Sequence, residues 1–213
     1  MRATHFGHAC VLIETDSARL LFDPGAFSHG FEDLRDLDAV LVTHAHPDHL
    51  DTGRLAQLLR DNPHAELVTD PFSAQEVAAA GLSARAAHPG ESLEVAGVKL
   101  AAVNGQHAEI HPELPVPPNV GFVVDGGAFY HPGDAFFVPE QDVDVLALPT
   151  GAPWLRLGDA VEFLRAVAPR VAVPVHECTL SAAGIGMSYA RFAELAPAGA
   201  EVKVLTQRDT TEL

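Results

Sequence analysis

The sequence predicts an α/β fold, and two observations carry that prediction. Short runs of branched apolar residues alternate with amphipathic stretches along the chain, and chemistry-bearing side chains collect just beyond the ends of those runs. A chain of 213 residues is long enough for a sizeable buried core, so a single domain over residues 1–213 is expected.

The elements follow in order. Ala9 to Glu14 and Arg19 to Asp23, broken at Thr15-Asp16-Ser17-Ala18, read as a hairpin, and Asp23-Pro24-Gly25 ends it by turn chemistry. Ala39-Val40-Leu41-Val42 reads as a buried strand that runs into Thr43-His44-Ala45-His46-Pro47-Asp48-His49. Pro47 cannot continue a ladder, so His44, His46, Asp48 and His49 belong to the loop leaving that strand. Asp51 to Arg60 places Leu55, Leu58 and Leu59 on one helical face and closes at Asn62-Pro63. A strand at Glu66 to Thr69 and a helix from Pro71 to Ala80, ended by Gly81, complete the first half.

Val98 to Val103, Val120 to Val124 and Ala128 to His131 are strand candidates, the last after an Asp125-Gly126-Gly127 turn. Alternation then resumes: strand Val143 to Leu148, helix Asp159 to Ala168, strand Val171 to Val175, helix Tyr189 to Leu195, strand Val202 to Leu205. Helix-flanked sheets in both halves, with no linker between them, suggest a four-layer αββα sandwich, although periodicity alone leaves a three-layer α/β domain open. The longest irregular stretch, Ala108 to Asn119, holds four prolines and reads equally as a stiff surface loop or as a wall of a site.

A formal charge of −16 argues against a surface built for nucleic acid or anionic lipid. The two cysteines, Cys10 and Cys178, make no disulfide framework. No signal-like segment or membrane-length apolar run is visible, so a cytoplasmic protein is expected. The expected partner is a small-molecule substrate, with a homo-oligomer left open.

The loop from His44 to His49 packs three imidazoles and a carboxylate into six residues, a density that favours zinc or another borderline divalent ion over calcium or magnesium. Further donors stand just past other strands: His107 after Asn104-Gly105-Gln106, Asp134 after His131-Pro132-Gly133, and His176 after Pro174-Val175. Asp23 reads equally as a carboxylate orienting a metal-bound histidine and as a turn residue. His8 reads equally as a substrate-contacting or proton-delivering group and as a structural hydrogen bond. His131 and His111 read as structural, Cys178 as a buried thiol, Trp154 as core or pocket floor, and His5, His29, His64 and His88 as surface residues.

The pattern His-x-His-x-Asp-His at His44, His46, Asp48 and His49, followed in order by His107, Gly133-Asp134 and His176, resembles the metallo-β-lactamase fold superfamily from Thr4 to about Leu205. Gly7-His8-Ala9, Asn119 to Phe122, His131 to Asp134 and Pro174-Val175-His176 are similar to its L-ascorbate-6-phosphate lactonase-like branch, whereas Pro149 to Trp154 departs from the glycine-rich segment of many relatives. The resemblance implies an αββα sandwich of the metallo-β-lactamase type binding two divalent ions, zinc first and manganese as the alternative. Carried over residue by residue, His44, His46 and His107 would hold one ion, Asp48, His49 and His176 the other, and Asp134 would bridge them. A hydroxide shared by the ions would attack a lactone or phosphate ester, with Asp48 and His8 as the catalytic side chains. Two other readings remain: mononuclear iron-dependent oxidation of a sulfur substrate, and a non-enzymatic metal-binding or sensor domain.

Overall fold

The computed structural model describes residues Met1–Leu213 as two seven-stranded sheets packed face to face. The first half supplies β1 (Arg2–His5), β2 (Val11–Glu14), β3 (Arg19–Phe22), β4 (Ala39–Val42), α1 (Thr52–Asp61), β5 (Glu66–Thr69), α2 (Pro71–Ala79) and β6 (Arg85–Ala86). The second supplies β7 (Ser92–Val95), β8 (Val98–Val103), β9 (Gly121–Val124), β10 (Phe129–His131), β11 (Val145–Pro149), α3 (Leu157–Val167), β12 (Val171–Val175), α4 (Ala182–Leu195) and β13 (Glu201–Val202). The last strand, β14 (Thr210–Glu212), returns to pair antiparallel with β1. The sheet orders are β14-β1-β2-β3-β4-β5-β6 and β13-β12-β11-β10-β9-β8-β7.

The apolar runs are continuous because each central strand is covered on both faces. In β4, Ala39 and Leu41 enter the core between the sheets, while Val40 and Val42 join Leu55 and Leu58 of α1 and Val77 of α2 in an outer core. In β11, Val145 and Ala147 face the other sheet, and Leu146 and Leu148 pack with Ala160, Phe163 and Leu164 of α3 and Phe192 of α4. Three cores between four layers give the αββα sandwich, with burial of each large aliphatic side chain contributing about 1.5–3 kcal/mol. Helix starts are capped locally: Asp51 accepts from the Arg54 N–H, and Asp70 accepts from the N–H groups of Phe72 and Ser73.

Each sheet joins an antiparallel part to a parallel one. Strands β3 to β6 run parallel in one sheet and β10 to β13 in the other. Parallel strands deliver their C-terminal loops to one rim, which is where ligand sites form in such sheets. The loops after β3, β4, β10, β11 and β12 therefore start from a common edge.

Several elements differ from the sequence reading. Helix α4 begins at Ala182, seven residues before the expected Tyr189, because the Ser181 side chain caps it by accepting from the Gly184 N–H, and Gly184 and Gly186 are carried in the helix despite their low helix propensity. The strand expected at Val202 to Leu205 is only Glu201–Val202. Strand β11 is shifted to Val145–Pro149 from the expected Val143 to Leu148, and α3 to Leu157–Val167 from Asp159 to Ala168. Strands β1, β6, β7 and β14 are additional to the sequence reading: β6 has two residues and β14 three, and β7 alternates buried and exposed residues over only four positions. No helix is long and apolar enough to cross a membrane.

Candidate metal centre

Two clusters of donor atoms meet at the rim. One gathers His44, His46, His107 and Asp134, the other His8, Asp48, His49 and His176, and within each the donor atoms lie within 4.8 Å of one another. Asp134 touches both. Its Oδ2 lies 3.2 Å from His107 Nε2, while its Oδ1 lies 3.1 Å from the Nε2 atoms of both His49 and His176.

The local fold places these groups with little freedom. Asp134 follows the left-handed Gly133, its N–H donates to Asn119 Oδ1 at 3.0 Å, and the Asn119 amide donates to the Pro132 carbonyl. His131 is buried, donates through Nε2 to the Ala9 carbonyl and accepts from the Gly133 N–H at 3.1 Å, so it shapes the turn rather than facing the donors. The Asp23-Pro24-Gly25 turn lies directly against the histidine loop: a Cβ on Gly25 would sit 1.8 Å from the Asp48 carbonyl oxygen. The loop after His107 is tied to the site at both ends, His107 N–H to the Pro117 carbonyl at 3.0 Å and Ala108 N–H to the Asp134 carbonyl at 2.8 Å.

Asp23, fully buried and with a left-handed φ of 44°, organises both clusters. Its Oδ2 accepts from His49 Nδ1 at 2.7 Å and from the Thr43 hydroxyl at 2.8 Å. With its proton committed to Asp23, the Thr43 oxygen accepts from His44 Nδ1 at 3.0 Å. His107 Nδ1 donates to the Ala108 carbonyl at 2.6 Å and His176 Nδ1 to the Gly151 carbonyl at 2.7 Å. In all four rings the Nδ1 proton is thereby fixed, and the Nε2 lone pair turns inward.

This arrangement needs a cation. His49 Nε2 and His176 Nε2 stand 3.1 Å apart, and neutral rings with their protons on Nδ1 would point two lone pairs at each other. His107 Nε2 and Asp134 Oδ1 are buried without hydrogen-bond partners. In the metal-free protein a proton answers that demand: burial alone would push His49 and His176 down, but Asp134 beside both, and Asp23 beside His49, hold them above the usual imidazole range. Burial likewise works against ionised Asp134, yet His176 and His49 keep it well below the usual carboxylate range. His44 is pushed well down by burial and then by its His49 neighbour, which together outweigh the Asp134 carboxylate. Imidazole and carboxylate donors converging on lone pairs suit zinc, manganese or iron.

His8 is buried, with a left-handed φ of 52°. Its Nδ1 accepts from the Cys178 N–H at 3.3 Å, which leaves Nε2 protonated to donate to Asp48 Oδ2 at 3.0 Å. Burial, and the His176 and His49 charges after it, outweigh Asp48 and push His8 down, so it is a neutral donor. Asp48 is held ionised well below the carboxylate range; burial opposes this, and the His8 hydrogen bond followed by the charges on His49 and His176 overcomes it.

Trp154, read as core or pocket floor, is half-buried and donates its indole N–H to Asp134 Oδ2 at 2.9 Å. His29, His64, His88 and His111 are exposed. Two readings are corrected. His5 is buried, not a surface residue, because its Nε2 donates to the His8 carbonyl at 2.9 Å. The Cys178 thiol is exposed rather than buried, since its residue leaves β12 for the rim. Thr43, Asn119 and Glu177 are polar residues at the site whose roles the sequence does not signal; each contacts a donor residue through hydrogen bonds that only the folded turns create.

A family model described as a beta-lactamase superfamily domain matches residues 2–176. Protein Rv0786c of Mycobacterium tuberculosis is 49% identical over 199 residues, 92% of each chain. A UPF0173 metal-dependent hydrolase of Opitutus terrae is 35% identical over the full length of both. Among solved structures, Igni18, a metallo hydrolase of Ignicoccus hospitalis, superposes with a TM-score of 0.77 over 100% of this chain and 98% of its own, at 22% identity.

Proposed function

The chain belongs to the beta-lactamase superfamily, and from that membership we propose that it is a divalent-metal-dependent hydrolase of a small molecule, with a lactone or a phosphate ester as substrate. The observation that carries the proposal is the division of Asp134, one oxygen toward His107 and the other toward His49 and His176. In this reading His44, His46, His107 and Asp134 Oδ2 hold one ion, and Asp48, His49, His176 and Asp134 Oδ1 hold the other. The name of the Opitutus relative is consistent with that chemistry.

When bound, the ions would supply Lewis acidity and would lower the pKa of a water held there toward about 7. The chain's own residues prepare the site for that water. Asp48, ionised and with Oδ2 occupied by His8, orients an attacking water through its remaining lone pairs. His8, its Nε2 proton given to Asp48, keeps that carboxylate fixed rather than serving as a free base. Asp23 fixes the histidines that would otherwise rotate.

Metal analysis of the purified protein tests the reading: about two divalent ions per chain are expected. Chelation should remove turnover of a lactone or a phosphate ester, and zinc or manganese should restore it. A folded protein that takes up no divalent ion would sink the proposal, and a single iron with oxygen-dependent turnover would replace it.

A further inference from the structure

Glu177 is buried, yet no arginine or lysine pairs with it. Its Oε1 accepts from the His8 N–H and from Gln207 Nε2, each at 3.2 Å, while its Oε2 has no hydrogen-bond partner. His5 Nε2 lies 3.7 Å from Oε2, but its proton goes to the His8 carbonyl. The other buried carboxylates are answered otherwise: Glu14 by Arg2 and Arg19, Asp23 by His49 and Thr43, Asp70 by the start of α2, and Asp134 by Trp154 and the surrounding histidines. A buried carboxylate met by neutral donors is unfavourable for folding unless it secures something else.

What it secures is His8. Three consecutive residues beyond β12 grip that one residue: the His176 N–H donates to the His8 carbonyl at 2.8 Å, Glu177 accepts the His8 N–H, and the Cys178 N–H donates to His8 Nδ1. His5 takes the other lone pair of the same carbonyl. His8 and His176 both hold left-handed φ angles, 52° and 62°, which non-glycine residues keep only when their surroundings impose them. The grip also crosses the sandwich, from the loop before β2 in one sheet to the loop after β12 in the other.

We propose that Glu177 and His5 are positioning residues that lock the backbone of His8, so that its Nε2–H is aimed at Asp48 and sets the Asp48 side of the metal centre. The proposal rests on the hydrolase reading only in taking Asp48 as a ligand and water-orienting group.

The test combines zinc titration with NMR of the imidazole nitrogens, in the full-length protein with and without zinc. In the wild type, the His8 Nε2 proton should be slowly exchanging and shifted downfield by the Asp48 carboxylate. Glu177→Ala should lose that signal and weaken binding of the second zinc equivalent 10–100-fold while leaving the first unchanged. Glu177→Gln keeps a carbonyl to accept the His8 N–H and should restore most of both. His5→Ala, which leaves Glu177 in place, should move both readouts in the same direction and decides the matter if Glu177→Ala does not fold. Folded Glu177→Ala or His5→Ala protein with the wild-type signal and wild-type zinc affinities overturns the proposal. A wild type that binds no zinc would instead remove the hydrolase reading, while the metal-free His8 signal would still decide this one.

Discussion

Asp23 and His49 share a hydrogen bond of 2.7 Å in a fully buried setting, and the same carboxylate oxygen reaches His44 through the Thr43 hydroxyl. One side chain therefore fixes a ring in each donor cluster. The two clusters are coupled beneath the site as well as across it, where Asp134 spans them.

Asp23→Asn should lower zinc affinity or turnover about 10–100-fold, because an amide offers one acceptor oxygen to three donors and its NH₂ opposes His49 Nδ1–H. Competition with a chromogenic chelator measures the affinity. Unchanged affinity at both ions would mean that Asp23 is only a turn residue.

The protonation of the donor residues sets the pH dependence of metal-free protein. His49 and His176 lie above the reference value of 6.5, so in metal-free protein their stabilisation is full below that value and is lost as pH rises through their folded values. Asp134 has the opposite sign: its contribution is present above the reference value of 3.8 and is lost as pH falls through its lowered value. Zinc must displace the histidine protons, so its affinity should rise with pH across the neutral range and binding should release protons. Calorimetry in buffers of different ionisation enthalpy measures that release, and zinc binding without proton release at pH near 7 would contradict the assignment.

Most of the fold and of the donor set was legible in the sequence because it depends on short-range patterns. The run from Ala39 to Val42 marks a strand covered on both faces, and Pro47 marks the loop that follows it. What was not legible depends on long-range contact. Nothing near His5 in sequence announces that it bonds the His8 carbonyl, and the orientation of His8 comes from residues 168–170 positions away. Helix α4 shows the same limit at the level of elements, since its largely exposed, glycine-containing first turns follow the Ser181 cap, while Tyr189, Phe192 and Leu195 of its later turns pack against α3.

Gly25→Ala should strain the join between the β3 turn and the histidine loop. The added carbon would fall 1.8 Å from the Asp48 carbonyl oxygen and 2.4 Å from the His49 amide nitrogen, both backbone atoms that cannot rotate away. A loss of about 1–3 kcal/mol of stability is expected, together with weaker metal binding as Asp48 and His49 are displaced. Urea unfolding and metal analysis measure the two effects, and wild-type values for both would show that the turn has room to move.

Trp154→Phe separates the packing of the indole from its hydrogen bond. The indole ring packs edge-on against Phe136, with centroids 5.0 Å apart, and its N–H takes a lone pair of Asp134 Oδ2, the oxygen facing His107. Phenylalanine keeps an aromatic ring and removes the donor, leaving a buried carboxylate oxygen short of one partner. Hydrogen bonds to charged groups contribute about 1.5–3 kcal/mol, so the metal-free protein should lose stability in that range. Metal binding works in the other direction, because Oδ2 regains a full lone pair to offer the ion held with His44, His46 and His107. The variant should therefore be less stable without metal, while zinc should raise its unfolding temperature by more than in the wild type. Thermal unfolding with and without zinc measures both; an unchanged zinc-induced shift would assign Trp154 to packing alone, and a smaller one would contradict the competition for Oδ2.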